Sequence, residues 1–189
     1  IENNDLKMFS GRQDHYASSY GGLNLFEFKD KVTWYPFDRK YAEGIIPSLV
    51  LMHTNLDRPD PKIQEGLKHL NPQQVKAMDR IKSLVEPTID AIGKSDIKRL
   101  GEILDTGWQY KKETNKVTNP RIDNIYANSK HYGAIGGKLC GSGGGGHMLF
   151  VVPVNKRKKF IENMTKEGLT HVDYSLDSNG TEVRILWIV

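Results

Sequence analysis

The sequence predicts an α+β fold, and three observations carry that reading. Short apolar or alternating runs of five or six residues occur at Leu23–Phe28, Ser48–His53 and Met148–Val152, the length and pattern of strands. Longer segments between them repeat apolar residues every three to four positions, the period of helices packed on one face. A glycine-dense stretch, holding eight of the 18 glycines between Gly133 and Gly146, interrupts this order once. Strands separated by runs of helix, with helices covering sheet faces, give α+β.

Taken in order, Ser10–Ser19 reads as a short helix. Ser10 and Gln13 have capping-box spacing, and Gly21-Gly22 stops it. Leu23–Phe28 is a strand and Lys31–Tyr35 its hairpin partner. Ser48–His53 is a buried strand, broken by the two prolines of Arg58–Pro61. A helix from about Asn71 to Ile92 opens with Asn-Pro. It carries Val75, Met78, Ile81, Val85, Ile89 and Ile92 on one face, and Pro87 is expected to kink it. A second helix starts at Ser95 with Ile97, Leu100, Leu104 and Trp108 inward. A third opens at Asn119-Pro120 and ends near Gly133. After the glycines come the Met148–Val152 strand and a basic helix over Asn155–Glu167. A hairpin closes the chain, with Thr170–Leu176 and Glu182–Val189 flanking the Asp177–Gly180 turn. Trp34, Trp108 and Trp187 are expected as core anchors.

Composition narrows the function. With 189 residues, 38% hydrophobic and 26% charged, the chain can build a core. No run of about 18 apolar residues exists, which excludes a transmembrane helix. A net charge of +4 is too weak to imply nucleic acid, and the basic run Lys156–Lys159 reads as a solvated helix face. The single cysteine, Cys140, rules out an intrachain disulfide framework and fits a reducing, cytoplasmic setting. The six histidines show no metal-ligand spacing in the sequence.

The segment Gly136-Gly137-Lys138-Leu139-Cys140-Gly141-Ser142-Gly143-Gly144-Gly145-Gly146 reads as a loop between a helix and a strand. Glycines permit positive φ and let backbone amides approach a ligand; successive amides make an anion nest. Lys138 and the Ser142 hydroxyl add donors. Ile135, Leu139 and Met148 anchor the loop in a core, which favours phosphate contact over a flexible linker. No Gly-Lys-Ser/Thr triplet closes it, so it is not a Walker loop.

This stretch through His147-Met148-Leu149-Phe150 resembles the third motif of the GHMP sugar kinases, and within them the branch acting on a heptose phosphate. Further segments fall in register: Gly11-Arg12-Gln13-Asp14-His15-Tyr16 with Tyr20-Gly21-Gly22, Leu51–Arg58 with Thr54, Trp108–Lys112, and Asn119–Asp123. The sequence departs from the family pattern at His147, where an apolar residue is usual, and at Asn55, where glycine is usual.

The resemblance implies an end of the kinase N-terminal domain over residues 1–46, then a ferredoxin-like GHMP C-terminal domain over 47–189. It implies transfer of the ATP γ-phosphate, with Mg2+, to a hydroxyl of a heptose phosphate or related sugar. Asp14 would be the catalytic carboxylate. Arg12, Arg58, Lys138, Gly141, Ser142, Gly143, Gly144 and Gly145 would bind substrate or phosphate, with Lys111 a weaker candidate, and Glu2 would help hold the metal. Sugar or sugar phosphate and ATP are the expected partners; nucleic acid and membrane are not. The family's Gly-Leu-Gly-Ser-Ser-Ser loop for ATP does not occur in residues 1–189. The chain is therefore expected to be a C-terminal portion that needs its N-terminal domain and is inactive alone. The alternatives are a galactokinase- or fucokinase-like member and a non-catalytic phosphate-binding remnant.

Overall fold

The computed structural model describes residues 12–56, 71–114, 117–141 and 143–182. The chain divides into two compact units. One holds residues 1–43 and 174–189, the other residues 44–173.

In the first unit, helix α1 (Gln13–Tyr20) is followed by the antiparallel hairpin β1 (Asn24–Phe28) and β2 (Val32–Pro36). The eight-residue helix is too short to be stable by itself. Aromatic rings supply the packing: Tyr16 stands edge-on to Phe28 at 5.5 Å, and Tyr20 lies 4.5 Å from Trp34. Trp34 is thus a packing residue, but it is 42% exposed and does not sit in a core as expected. The segment around Asp177–Gly180 folds back onto this unit. The Gly22 amide donates to the Asp177 carbonyl, and a Cβ on Gly21 would lie 2.3 Å from the Gly180 nitrogen. Helix α2 (Arg39–Ile45), which the sequence reading lacks, leads through a 3-10 turn (Ile46–Ser48) into the second unit.

The second unit is built on a four-stranded antiparallel sheet. Its strands are β3 (Leu49–His53), β4 (Gly136–Leu139), β5 (His147–Val151) and β6 (Thr170–Val172), in the order β4-β5-β3-β6. Helices α3 (Pro72–Ser83), α4 (Val85–Gly93), α5 (Ile97–Thr114) and α6 (Pro120–His131) connect β3 to β4, and α7 (Val154–Lys166) connects β5 to β6. This is the β-α-β-β-α-β order of a ferredoxin-like fold. Val50, Met52, Leu139, Met148 and Phe150 are fully buried with Ile122 and Ile125 of α6 and Phe160 and Met164 of α7. The alternate residues Leu49, Leu51, His53, His147 and Leu149 are half-buried on the other side of the pleat.

Several boundaries differ from the sequence reading. The expected single helix over 71–92 is two, broken at Leu84, so Pro87 falls in the first turn of α4 and kinks nothing. Proline is tolerated there because first-turn amides have no helical acceptor. Val75, Met78 and Val85, expected inward, are exposed. Asn71 and Gln74 form a reciprocal capping box at the start of α3. The strand after Gly168 ends at Val172, and its expected partner over 183–189 lies outside the described residues, as do Ser10, Arg58–Pro61 and Trp187.

Candidate functional site

The glycine segment is not a helix-to-strand loop. Gly136 to Leu139 form β4, paired with β5, so the loop over 140–146 closes a β-hairpin. Gly136 and Gly137 therefore serve packing rather than ligand contact. A Cβ on Gly136 would lie 1.9 Å from the Gly101 carbonyl oxygen of α5, and one on Gly137 would lie 2.5 Å from the Leu149 oxygen. Only glycine lets α5 lie this close to the strand.

The loop is held from three sides. At its exit, the Thr54 amide and hydroxyl both donate to the Gly146 carbonyl at 2.8 Å, from the buried end of β3. At its centre, the Gly144 amide donates to the Val117 carbonyl at 2.8 Å, and Asn119 Nδ2 donates to the Gly144 carbonyl at 2.9 Å. Asn119 also caps α6, its Oδ1 accepting from the Ile122 amide at 3.0 Å. At its entry, Lys111 Nζ donates to the Gly141 carbonyl at 2.7 Å. Gly141, Gly143, Gly144 and Gly146 all have positive φ, and a Cβ on Gly143 would meet Val117 at 2.8 Å. Carbonyls thus point at protein donors, while among the described residues no acceptor meets the amides of Gly143 and Gly145. Gly145 is buried in the loop without positive φ. Ser142 lies outside the described residues.

Two cations flank this loop. Lys138 is half-buried on β4 and Lys111 on α5. Burial first, and the Lys138 charge second, pull the Lys111 ammonium down to about 8. Burial pushes the Cys140 thiol up, against the pull of Lys138 and Lys111. Behind β4, Tyr126 donates its hydroxyl to Asp105 Oδ1 at 2.6 Å, and Lys130 Nζ donates to Asp105 Oδ2 at 3.1 Å. Burial alone raises the Asp105 carboxyl, but these two bonds outweigh it and hold the group below its usual range. Asp105 is thus committed to Lys130 and Tyr126. Lys111 and Lys138 face the loop without a described carboxylate partner.

In the first unit, Asp14 stands in the first turn of α1, where the helix dipole favours a carboxylate. It is exposed, and no described residue pairs with it. Arg12 is the N-cap residue of the same helix. It lines a depression of about 370 Å³ with Gln13, Phe28 and Lys29. Glu2 and Arg58 lie outside the described residues. Among the predicted residues, the structure brings together Lys138, Gly141, Gly143, Gly144 and Gly145. It adds Thr54, Val117 and Asn119 as loop anchors and moves Lys111 from a weak candidate to the loop's entry. Lys111 lies 30 residues from Gly141, and no local spacing could have signalled that contact.

Residues 88–169 match the family model described as GHMP kinases C terminal. That span runs from α4 through the glycine hairpin to the end of α7. Over residues 88–169 this chain matches a GHMP kinase C-terminal domain. The D-glycero-alpha-D-manno-heptose 7-phosphate kinase of Campylobacter jejuni is 32% identical, over 96% of this chain and 56% of that protein. A galactokinase of Mycobacterium tuberculosis is 26% identical over 42% of this chain and 22% of its own. Among solved structures, a protein of Campylobacter jejuni described as a sugar kinase has a TM-score of 0.70 at 29% identity. The match covers 95% of this chain and 52% of that one. A D-glycero-D-manno-heptose 1-phosphate kinase of Bacteroides thetaiotaomicron shares the fold at TM-score 0.70 and 24% identity, over 97% of this chain and 53% of its own. The chain spans about half the length of the two Campylobacter jejuni proteins and the Bacteroides thetaiotaomicron kinase. No described helix is long and apolar enough to cross a membrane.

Proposed function

We propose that this chain is the C-terminal part of a GHMP sugar kinase that transfers the ATP γ-phosphate to a hydroxyl of a heptose phosphate. The observation that carries the reading is the glycine hairpin. Its carbonyls are tied to Thr54, Asn119 and Lys111, two of its amides meet no described acceptor, and two cations stand beside it. Pre-placed amides and cations of this kind stabilise negative charge without reorganising during reaction. Gly143 must be glycine for the loop to lie this close to Val117, where a Cβ would meet the Val117 Cα at 2.8 Å.

In this reading the sugar hydroxyl oxygen forms a bond to the γ-phosphorus as the bond to the β–γ bridging oxygen breaks, and ADP leaves. The resemblance gives Asp14 the hydroxyl proton, and the loop amides with Lys138 and Lys111 would hold the transferred group. Arg12 and Arg58 would bind the phosphate already on the sugar. Residues 1–46 would end the kinase N-terminal domain, whose remainder would bind ATP. Among the described residues no three His, Cys, Asp or Glu side chains gather to hold a metal ion. Glu2, which the resemblance assigns to Mg2+, lies outside them.

The test is ADP release by the intact gene product on a panel of heptose phosphate, galactose and fucose. Turnover confined to heptose phosphate supports the reading, and turnover of galactose alone overturns the substrate. Asp14→Asn is expected to lower kcat by roughly 10²–10⁴-fold with the KM for ATP held. Near-normal turnover in that variant removes Asp14 from the mechanism.

A further inference from the structure

Two histidines that lie 94 positions apart in the sequence meet at the exit of the glycine hairpin. In the β3–β5 ladder His53 is the register partner of His147, so both side chains leave the same side of the sheet. Their ring centroids are 4.7 Å apart, with an angle of 59° between the planes. The two strands are rigid here, because the next residues out are locked by the pair of bonds from Thr54 to the Gly146 carbonyl.

The shorter of two hydrogen bonds at His53 Nδ1 places the proton on that nitrogen. Asn55 Nδ2 donates to the Gly168 carbonyl at 2.9 Å, which orients the amide and turns Oδ1 toward His53. Oδ1 lies 2.9 Å from His53 Nδ1, so Nδ1 donates to it. The Asn55 amide also approaches Nδ1, but at 3.3 Å, and it is the weaker of two contacts that cannot both be made by one tautomer. His53 Nε2 is then the unprotonated nitrogen, with a lone pair to offer. This is the arrangement by which outer residues prepare a histidine to bind a metal: one ring N–H is tied to a fixed oxygen, and the other nitrogen becomes the ligand. Asn55 is held in this place with φ of +54°, a conformation asparagine tolerates better than most residues.

A metal ion lies about 2.0–2.1 Å from an imidazole nitrogen, hence roughly 3.2 Å from the ring centroid. Centroids 4.7 Å apart are within reach of one ion. We propose that His53 and His147 form a two-histidine chelate for a borderline divalent transition metal such as Zn2+, Ni2+ or Cu2+, with water completing the coordination. Imidazole donors select these ions over Mg2+ or Ca2+, which take oxygen ligands. Among the described residues no third His, Cys, Asp or Glu joins the pair. A bound ion would staple the two strands beside the Thr54–Gly146 clamp.

The experiment is titration of the chain with Ni2+ by calorimetry, with thermal unfolding followed in the same samples. The expected result is one ion per chain and a rise in Tm on saturation. Both are lost in His53→Gln and in His147→Gln and retained in His131→Gln, which alters an exposed histidine outside the pair. Asn55→Ala leaves both imidazoles in place but frees the His53 tautomer, and is expected to weaken binding roughly tenfold. Circular dichroism of each variant without metal checks that it is folded. Absence of binding by the parent chain overturns the proposal, as does undiminished binding by the folded double variant His53→Gln/His147→Gln.

Discussion

At the scale of single residues, Lys111 ties burial to charge most directly. In the folded chain it loses its proton near pH 8, against the ordinary value of 10.5 in the unfolded chain. Between those values the unfolded chain binds the extra proton, so this residue makes the fold more stable as pH rises from 8 to 10.5. At pH 7 it is protonated in both states, and the buried charge costs at most about 3 kcal/mol. Lys111→Met removes that cost and forfeits the bond to the Gly141 carbonyl, worth about 1 kcal/mol. The variant is therefore expected to be more stable than its parent at pH 7 by up to about 2 kcal/mol, with the advantage gone by pH 10.5. Urea midpoints at the two pH values measure this, and a difference independent of pH contradicts it. A phosphate at the loop would relieve the same unfavourable charge.

At the scale of elements, two Asn-Pro helix starts that look alike in the sequence do different work. Asn71 caps α3 through a reciprocal box with Gln74 and touches nothing of the glycine hairpin. Asn119 caps α6 and also holds the Gly144 carbonyl. Alanine at either position is expected to cost about 1 kcal/mol of helix capping. Asn119→Ala loses the loop bond as well, and alone is expected to weaken binding of inorganic pyrophosphate. Thermal melts and calorimetry on the two variants separate the effects; equal loss of binding in both contradicts the anchoring role of Asn119. The helix starts themselves were legible, because Asn followed by Pro satisfies and removes first-turn amides in one motif. The break at Leu84 was not legible, since apolar periodicity runs through it and only the exposure of Val75, Met78 and Val85 exposes the error.

At the scale of the whole chain, β1, β2, β3, β5 and the start of β6 followed from run length and alternation, whereas β4 was read as loop and the ferredoxin-like order came from the family resemblance. The division of labour among the glycines did not follow. Gly136 and Gly137 look identical to Gly143 and Gly145 in the sequence, yet the first pair admits α5 and β5 while the second pair lies in the loop. Close approach of elements distant in sequence decides that, and one-dimensional spacing carries no trace of it. The same holds for Lys111 and for His53 with His147, which only the sheet register and the α5 packing bring to the hairpin. By contrast Lys138 and the glycine run stood out in the sequence, because consecutive glycines and a nearby cation share one stretch of chain, although residues 136–139 of that run form a strand and not a loop.

The measurement that bears most directly on the account is amide NMR of the chain titrated with inorganic pyrophosphate. The Gly143 and Gly145 resonances are expected to move in a saturable way, and to stop doing so in Lys111→Met and Lys138→Met. If those two amides stay fixed while other regions respond, or if both lysine variants respond like the parent, the glycine hairpin is not a phosphate site and the kinase reading loses its support.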